Sequence, residues 1–170
     1  MLFSVTTCSS AHSEDQNGNI MLSGSSGIIE SPNFPFSYPT SIKCIWRIKL
    51  SSNTSIVNIS FTSFELQSGF DSGCSTYDDY LEMFDGYNVS DGVSLGRFCG
   101  SKALPHIYTR GNMLTIVFNS NSYATEKGFS AAYSSVSNSG MLKFCSANCK
   151  RIALVRIRLE SFNTLHFNFS

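Results

Sequence analysis

The chain has 170 residues, enough for one domain with a sizeable core and short appendages. Only 14% of it is charged while 13% is aromatic, with 14 phenylalanines, which excludes a disordered chain and suits β-structure. The net charge is zero but unevenly spread: residues 1–136 hold 7 Lys/Arg against 11 Asp/Glu, and residues 137–170 hold 5 against 1. An acidic body argues against nucleic acid, whose binding needs counterion-releasing Lys and Arg. The basic tail (Lys143, Lys150, Arg151, Arg156, Arg158) reads as a solvated charge run.

Residues 1–26 read as a flexible lead-in, because 9–26 are rich in Ser, Gly, Asn and acids. The opening Met1 to Cys8 has no basic n-region and too short an apolar run for a signal peptide, so the N-terminus is expected to be incomplete. Gly27–Ser31 predicts a short strand, stopped by Ser31–Pro39, where three prolines remove ladder donors. Two segments then alternate with period two. In Cys44–Leu50, Cys44, Trp46, Ile48 and Leu50 share one face; in Ile56–Thr62, Val57, Ile59 and Phe61 point inward and Asn58, Ser60 and Thr62 outward. Asp79–Phe84, Leu114–Phe118 and Phe129–Tyr133 are further strands, separated by turn material at Asp85-Gly86, Asp91-Gly92, Gly111-Asn112 and Gly128. No segment sustains a helical period, and many short strands with turns between them predict an all-β sandwich. Residues 135–170 form a linker and basic tail, either the start of a truncated further module or an unselected extension.

Six cysteines (8, 44, 74, 99, 145, 149) accompany N-glycosylation sequons at Asn53, Asn58, Asn88 and Asn168. Together they favour an oxidising, extracellular setting. No stretch is apolar for long enough to span a membrane as a helix.

The spaced pieces Gly27-x-Ile, Ser31-Pro-Asn-Phe-Pro-x-x-Tyr-Pro39, Cys44-x-Trp46, Phe61-x-x-Phe64 and Asp79-Tyr-Leu-Glu-Met-Phe-Asp-Gly86 resemble the CUB family. Gly96-Arg-Phe-Cys-Gly100, Asn112-x-Leu114, Phe118-x-Ser120 and Gly128-Phe-x-Ala-x-Tyr133 continue the match in order, which places the domain at 27–134. The resemblance implies a jelly-roll-like sandwich of two antiparallel sheets in a secreted or cell-surface protein. It implies a disulfide between Cys74 and Cys99. The family's other bridge joins Cys44 to a cysteine shortly before Gly27, where this chain has none. Cys8 is the candidate partner, a free Cys44 or pairing with the tail being the alternatives. Cys145 and Cys149 can close on each other; as a zinc site they lack a second half.

Many members of this family hold calcium at one end of the sandwich with three carboxylates. The resemblance maps these onto Gln67, Asp79 and Asn121, with a supporting Tyr38, so two of three acids are amides and the site's charge falls from −3 to −1. Calcium prefers charged oxygens, and even intact extracellular modules bind it only at about 10⁻⁴ to 10⁻³ M. No cofactor is therefore expected: the amides should hydrogen-bond one another and cap the sheet without metal, unless Asp71 or Asp78 substitutes. Partner binding at this end is expected to use Tyr38, Asp79, Tyr77 and Tyr123.

Nothing in the sequence points to catalysis. His12, His106 and His166 belong to no nucleophile elbow or His-Glu-x-x-His helix, and Glu65 and Glu82 form no paired-acid cleft. The leading expectation is a non-enzymatic extracellular module binding a protein or glycan. Its rivals are a fragment of a multidomain secreted protease, astacin-like or complement-type, and a lectin-like protein similar to the spermadhesins, single CUB domains that lack the calcium acids.

Overall fold

The computed structural model describes residues 8, 13–14, 18–69, 74–75, 77–137, 141–144 and 153–156. The chain divides into two compact units, Met1–Val136 and Ser137–Ser170.

The larger unit is a two-sheet β-structure. Its strands are β1 (Ser13–Glu14), β2 (Ile20–Leu22), β3 (Ser26–Glu30), β4 (Lys43–Lys49), β5 (Ser55–Glu65), β6 (Tyr80–Asp85), β7 (Val93–Phe98), β8 (Ile107–Tyr108), β9 (Met113–Asn119) and β10 (Gly128–Ser137). One sheet has the order β1-β2-β4-β9-β6-β7 and the other β3-β10-β5-β8. β4 with β9, β9 with β6, β6 with β7, β3 with β10, β5 with β8 and β1 with β2 pair antiparallel, whereas β2 and β4 run parallel and pair Ile20 with Trp46. In the smaller unit β11 (Met141–Phe144) pairs antiparallel with β12 (Ala153–Arg156).

The period-two faces read from the sequence are the buried ones. Cys44, Trp46, Ile48 and Leu50 are all 2% exposed or less, as are Val57 and Ile59. Rings from the two sheets meet edge-on between them: Trp46 and Phe118 each contact Phe129, at 5.8 and 5.7 Å between centroids. Phe61 and Tyr38 extend this aromatic chain toward the end of the sandwich, against Phe129 and Phe118 respectively. Such edge-to-face pairs add about 0.5–1.5 kcal/mol each beyond area burial.

Three features depart from the sequence reading. Ile20 and Leu22, placed in a flexible lead-in, are core residues at 0% and 5% exposure. A three-residue parallel strand is too short to show periodicity, so its burial depends wholly on β4. β5 runs on to Glu65 without strict alternation: Ile56 is buried beside Val57 and Ile59, Phe61 is half-buried, and beyond it Phe64 and, just past the strand, Leu66 are the buried positions. β7 is an edge strand with no fully buried residue, opposite a β-bulge between Met83 and Phe84, so it lacks the apolar alternation that marks strands.

Gly128 opens β10 at φ 91°, and a Cβ there would collide with the Ser31 hydroxyl. That hydroxyl accepts the Phe129 N–H at 3.0 Å and so cannot move freely. Gly128→Ala is expected to cost about 2 kcal/mol, read as a lower urea midpoint at unchanged m-value.

Candidate functional site

The end of the sandwich where β5 and β9 terminate and β6 begins gathers the residues singled out by the sequence. Tyr38, 1% exposed, arrives on the 31–39 loop, whose path is fixed where the Tyr38 N–H donates to the Glu126 carbonyl at 3.2 Å. Its hydroxyl donates to Asp79 Oδ2 at 2.6 Å and accepts the Gln67 N–H at 2.9 Å. Asp79, fully buried, takes the Asn121 N–H on Oδ1 at 2.6 Å. Its own N–H donates to the Gln67 carbonyl at 3.2 Å. The Asp79 carboxylate thus ties the 31–39 loop to Asn121, while its backbone N–H and the Tyr38 hydroxyl hold Gln67 just past β5.

Asn121 completes the cluster. Its Nδ2 donates to Gln67 Oε1 at 3.1 Å and to the Tyr77 carbonyl at 2.6 Å, and its Oδ1 accepts the Tyr123 N–H at 2.8 Å. The two backbone partners dictate the amide's orientation, because a carbonyl needs the NH2 edge and an N–H needs the oxygen. Gln67 must therefore present oxygen to Asn121.

The two adjacent aspartates are pushed in opposite directions. Burial holds the Asp79 carboxyl above its ordinary value of 3.8, helped by the charge of Asp78 and opposed by the Tyr38 and Asn121 hydrogen bonds. Asp78 lies below that value, chiefly because the Gly69 N–H donates to Oδ1 at 2.5 Å, with the Ser75 N–H on Oδ2 at 2.6 Å. The Tyr38 hydroxyl is raised by burial first and then by its bond to Asp79.

Of the three positions that a carboxylate cage would need, only Asp79 is an acid; Asn121 turns its NH2 edge to Gln67 and Tyr77 and its oxygen to the Tyr123 N–H, and Asp78 accepts two backbone N–H groups. Among the described residues no three His, Cys, Asp or Glu converge to hold a metal. Asp71 lies outside the described residues.

Burial also corrects the expected contact surface. Tyr38 and Asp79, expected at the contact surface, are interior groups, 1% and 0% exposed, and hydrogen-bonded to each other and to the loops around them. Tyr77 and Tyr123 are 80% and 84% exposed, and Phe36, on the Tyr38 loop, is 77% exposed. Phe36 was not expected at this end; its signal is an apolar ring in a proline-bounded loop. Ser120, noticed only within its motif, donates to the Pro39 carbonyl at 2.8 Å and accepts the Ile42 N–H at 3.1 Å, fastening the same loop.

Two disulfides close the larger unit. Cys8 joins Cys44 across 36 residues, and Cys74 joins Cys99 across 25. Cys145 and Cys149 lie outside the described residues. Of the sequons, Asn53 is exposed in the turn before β5, and its Oδ1 accepts from Asn112 at 3.0 Å. Asn88 lies in the turn between β6 and β7, while Asn58 is half-buried on β5 with its Nδ2 on Ser134 Oγ at 3.3 Å. Asn168 lies outside the described residues. His106 is exposed near Asn58, 3.4 Å from its Oδ1, and Glu82 is paired with Arg97 at 2.8 Å. Glu65 faces Lys127 at 3.9 Å.

The same unit recurs in known proteins. The Dorsal-ventral patterning protein tolloid of Drosophila melanogaster is 43% identical over 104 residues, which are 61% of this chain and 9% of that protein. Human cubilin is 36% identical over 110 residues, 64% of this chain and 3% of its own length. This chain therefore spans a small part of the curated relatives it matches. Among solved structures, the CUB1-EGF-CUB2 domains of human MASP-1/3 superpose with a TM-score of 0.61 at 28% identity, covering 74% of this chain and 43% of theirs. The MASP-1 CUB2 domain bound to Ca2+ gives 0.59 at 28% identity, covering 69% of this chain and 97% of its own. The CUB domain family model matches residues 17–133, a stretch that includes the buried β2, and by that match this chain belongs to the CUB family.

Proposed function

We propose that this CUB domain is a non-enzymatic extracellular module that binds a protein partner through the loop end bearing Tyr77 and Tyr123. The observation that carries this reading is the Asn121 clasp: one amide side chain holds the backbone of both residues, at 2.6 and 2.8 Å, while their rings stand 80% and 84% exposed. Tyrosine supplies rigid, amphipathic contact area at low entropy cost, and a fixed backbone lowers that cost further. Two disulfides suit an oxidising compartment, and no helix among the described residues is long and apolar enough to cross a membrane. The relatives carry units like this within much longer chains, which suits a recruiting module.

The test is a surface-plasmon-resonance screen of the full chain against extracellular proteins, with a Tyr77→Ala/Tyr123→Ala variant run in parallel. Partners of the wild type should bind the variant about 30-fold more weakly, the effect of losing a hot spot, at unchanged melting temperature. Equal binding by both chains would refute the assignment of this surface. A glycan array in the same campaign separates the lectin-like reading, which requires sugar binding that the same variant loses.

A further inference from the structure

We infer that the loop end of this domain is locked by its own amide groups in place of a divalent cation, with Asn121 as the crosslink. A cation orders such loops by drawing several oxygens onto one centre. Here the same mechanical task falls to hydrogen bonds: the Asn121 side chain fixes its own loop through the Tyr123 N–H and ties that loop to Gln67 after β5 and Tyr77 before β6, 54 and 44 residues away. Its backbone adds two more links, the N–H to Asp79 and the carbonyl accepting the Ser41 N–H at 2.7 Å. The Asn121 NH2 faces two oxygens and its carbonyl oxygen is taken by the Tyr123 N–H, and the fixed carbonyl of Tyr77 prevents the flip that would reverse this. Gln67 and Asn121 are neutral, so Asp79 and Asp78 are the only acids among the described residues in this hydrogen-bonded cluster, and their four oxygens all accept protein donors. An amide clasp of this kind makes the order of the loops independent of calcium. It does not depend on what the exposed tyrosines bind.

Calcium itself is the probe. The melting temperature of the full chain should be the same in 10 mM calcium chloride and in excess EDTA; a module binding calcium at about 10⁻³ M would gain roughly 4 °C. A rise of that size in the wild type would overturn the inference. Gln67→Glu/Asn121→Asp should gain such a calcium-dependent rise, and a folded double variant that ignores calcium would overturn the claim that these two amides exclude the cation. Should that variant not fold, Asn121→Ala provides the independent measure. Amide hydrogen exchange at 77–79 and 121–123 should quicken at least about tenfold, equally with and without calcium. Unchanged exchange there would remove Asn121 from the role of crosslink.

Discussion

Asp79→Ala is expected to destabilise the domain by about 4 kcal/mol, measured by urea unfolding at pH 7. The substitution removes the acceptor of the buried Tyr38 hydroxyl and of the partly buried Asn121 N–H, and each unsatisfied buried donor costs about 1–3 kcal/mol. It also leaves a void beneath three loops. Asp79→Asn keeps one acceptor and removes a desolvated charge, so it should cost only about 1–2 kcal/mol. The two variants differ most usefully in their pH dependence. Because the folded state raises the Asp79 carboxyl above 3.8, the fold favours its neutral form. Wild-type stability relative to Asp79→Asn should therefore rise as pH falls from 7 toward 3.8, and decline as pH climbs through the raised value. Asp78 works in a separate window: its lowered carboxyl contributes stability above 3.8 that is lost as pH falls below it. A flat difference between wild type and Asp79→Asn from pH 4 to 7 would contradict the assigned burial of the charge.

Removing either disulfide should have a comparable effect. By the loop-closure argument, Cys8→Ala/Cys44→Ala costs about 4 kcal/mol for its 36-residue separation, and Cys74→Ala/Cys99→Ala about 3.5 kcal/mol for 25. Guanidinium unfolding of each variant measures this. A loss below about 1 kcal/mol in the first would show that Cys8 is dispensable to the fold. The second carries a further signature. Cys74 neighbours Ser75, whose N–H holds Asp78, so freeing it should let the Asp78 carboxyl drift back toward 3.8. Cys8→Ala/Cys44→Ala should leave that titration untouched.

Much of the fold was legible because the strands that build the core are half-buried, and a half-buried strand records its environment every second residue. Cys44 to Leu50 and Val57 to Ile59 carry that record openly. Ile20–Leu22 does not, because three residues cannot display a period, and β7 does not, because an exposed edge imposes no apolar alternation. Phe64 and Leu66 are legible as apolar but not as inward, since the phase shifts beyond Phe61 and only the ends of the strand, read in three dimensions, show it.

The candidate site divides along a similar line. That Gln67, Asp79 and Asn121 belong together, with two amides where the family has acids, was implied by the resemblance to the CUB family. From that followed the prospect that the amides would bond to each other. Which groups face solvent did not. Tyr38, Tyr77 and Tyr123 are the same residue type in similar loops, yet one is 1% exposed and the others 80% and 84%. The difference arises because the Tyr38 hydroxyl finds both a donor and an acceptor inside the domain, which satisfies it without water, whereas Tyr77 and Tyr123 are held by their backbones and leave their rings outside. Sequence alone determined an all-β, disulfide-bearing domain with a neutralised acid cluster at one end. Tertiary structure decided which way each side chain turned, because that depends on hydrogen-bond partners distant in sequence, 54 residues apart for Gln67 and Asn121, and no local pattern encodes such pairings.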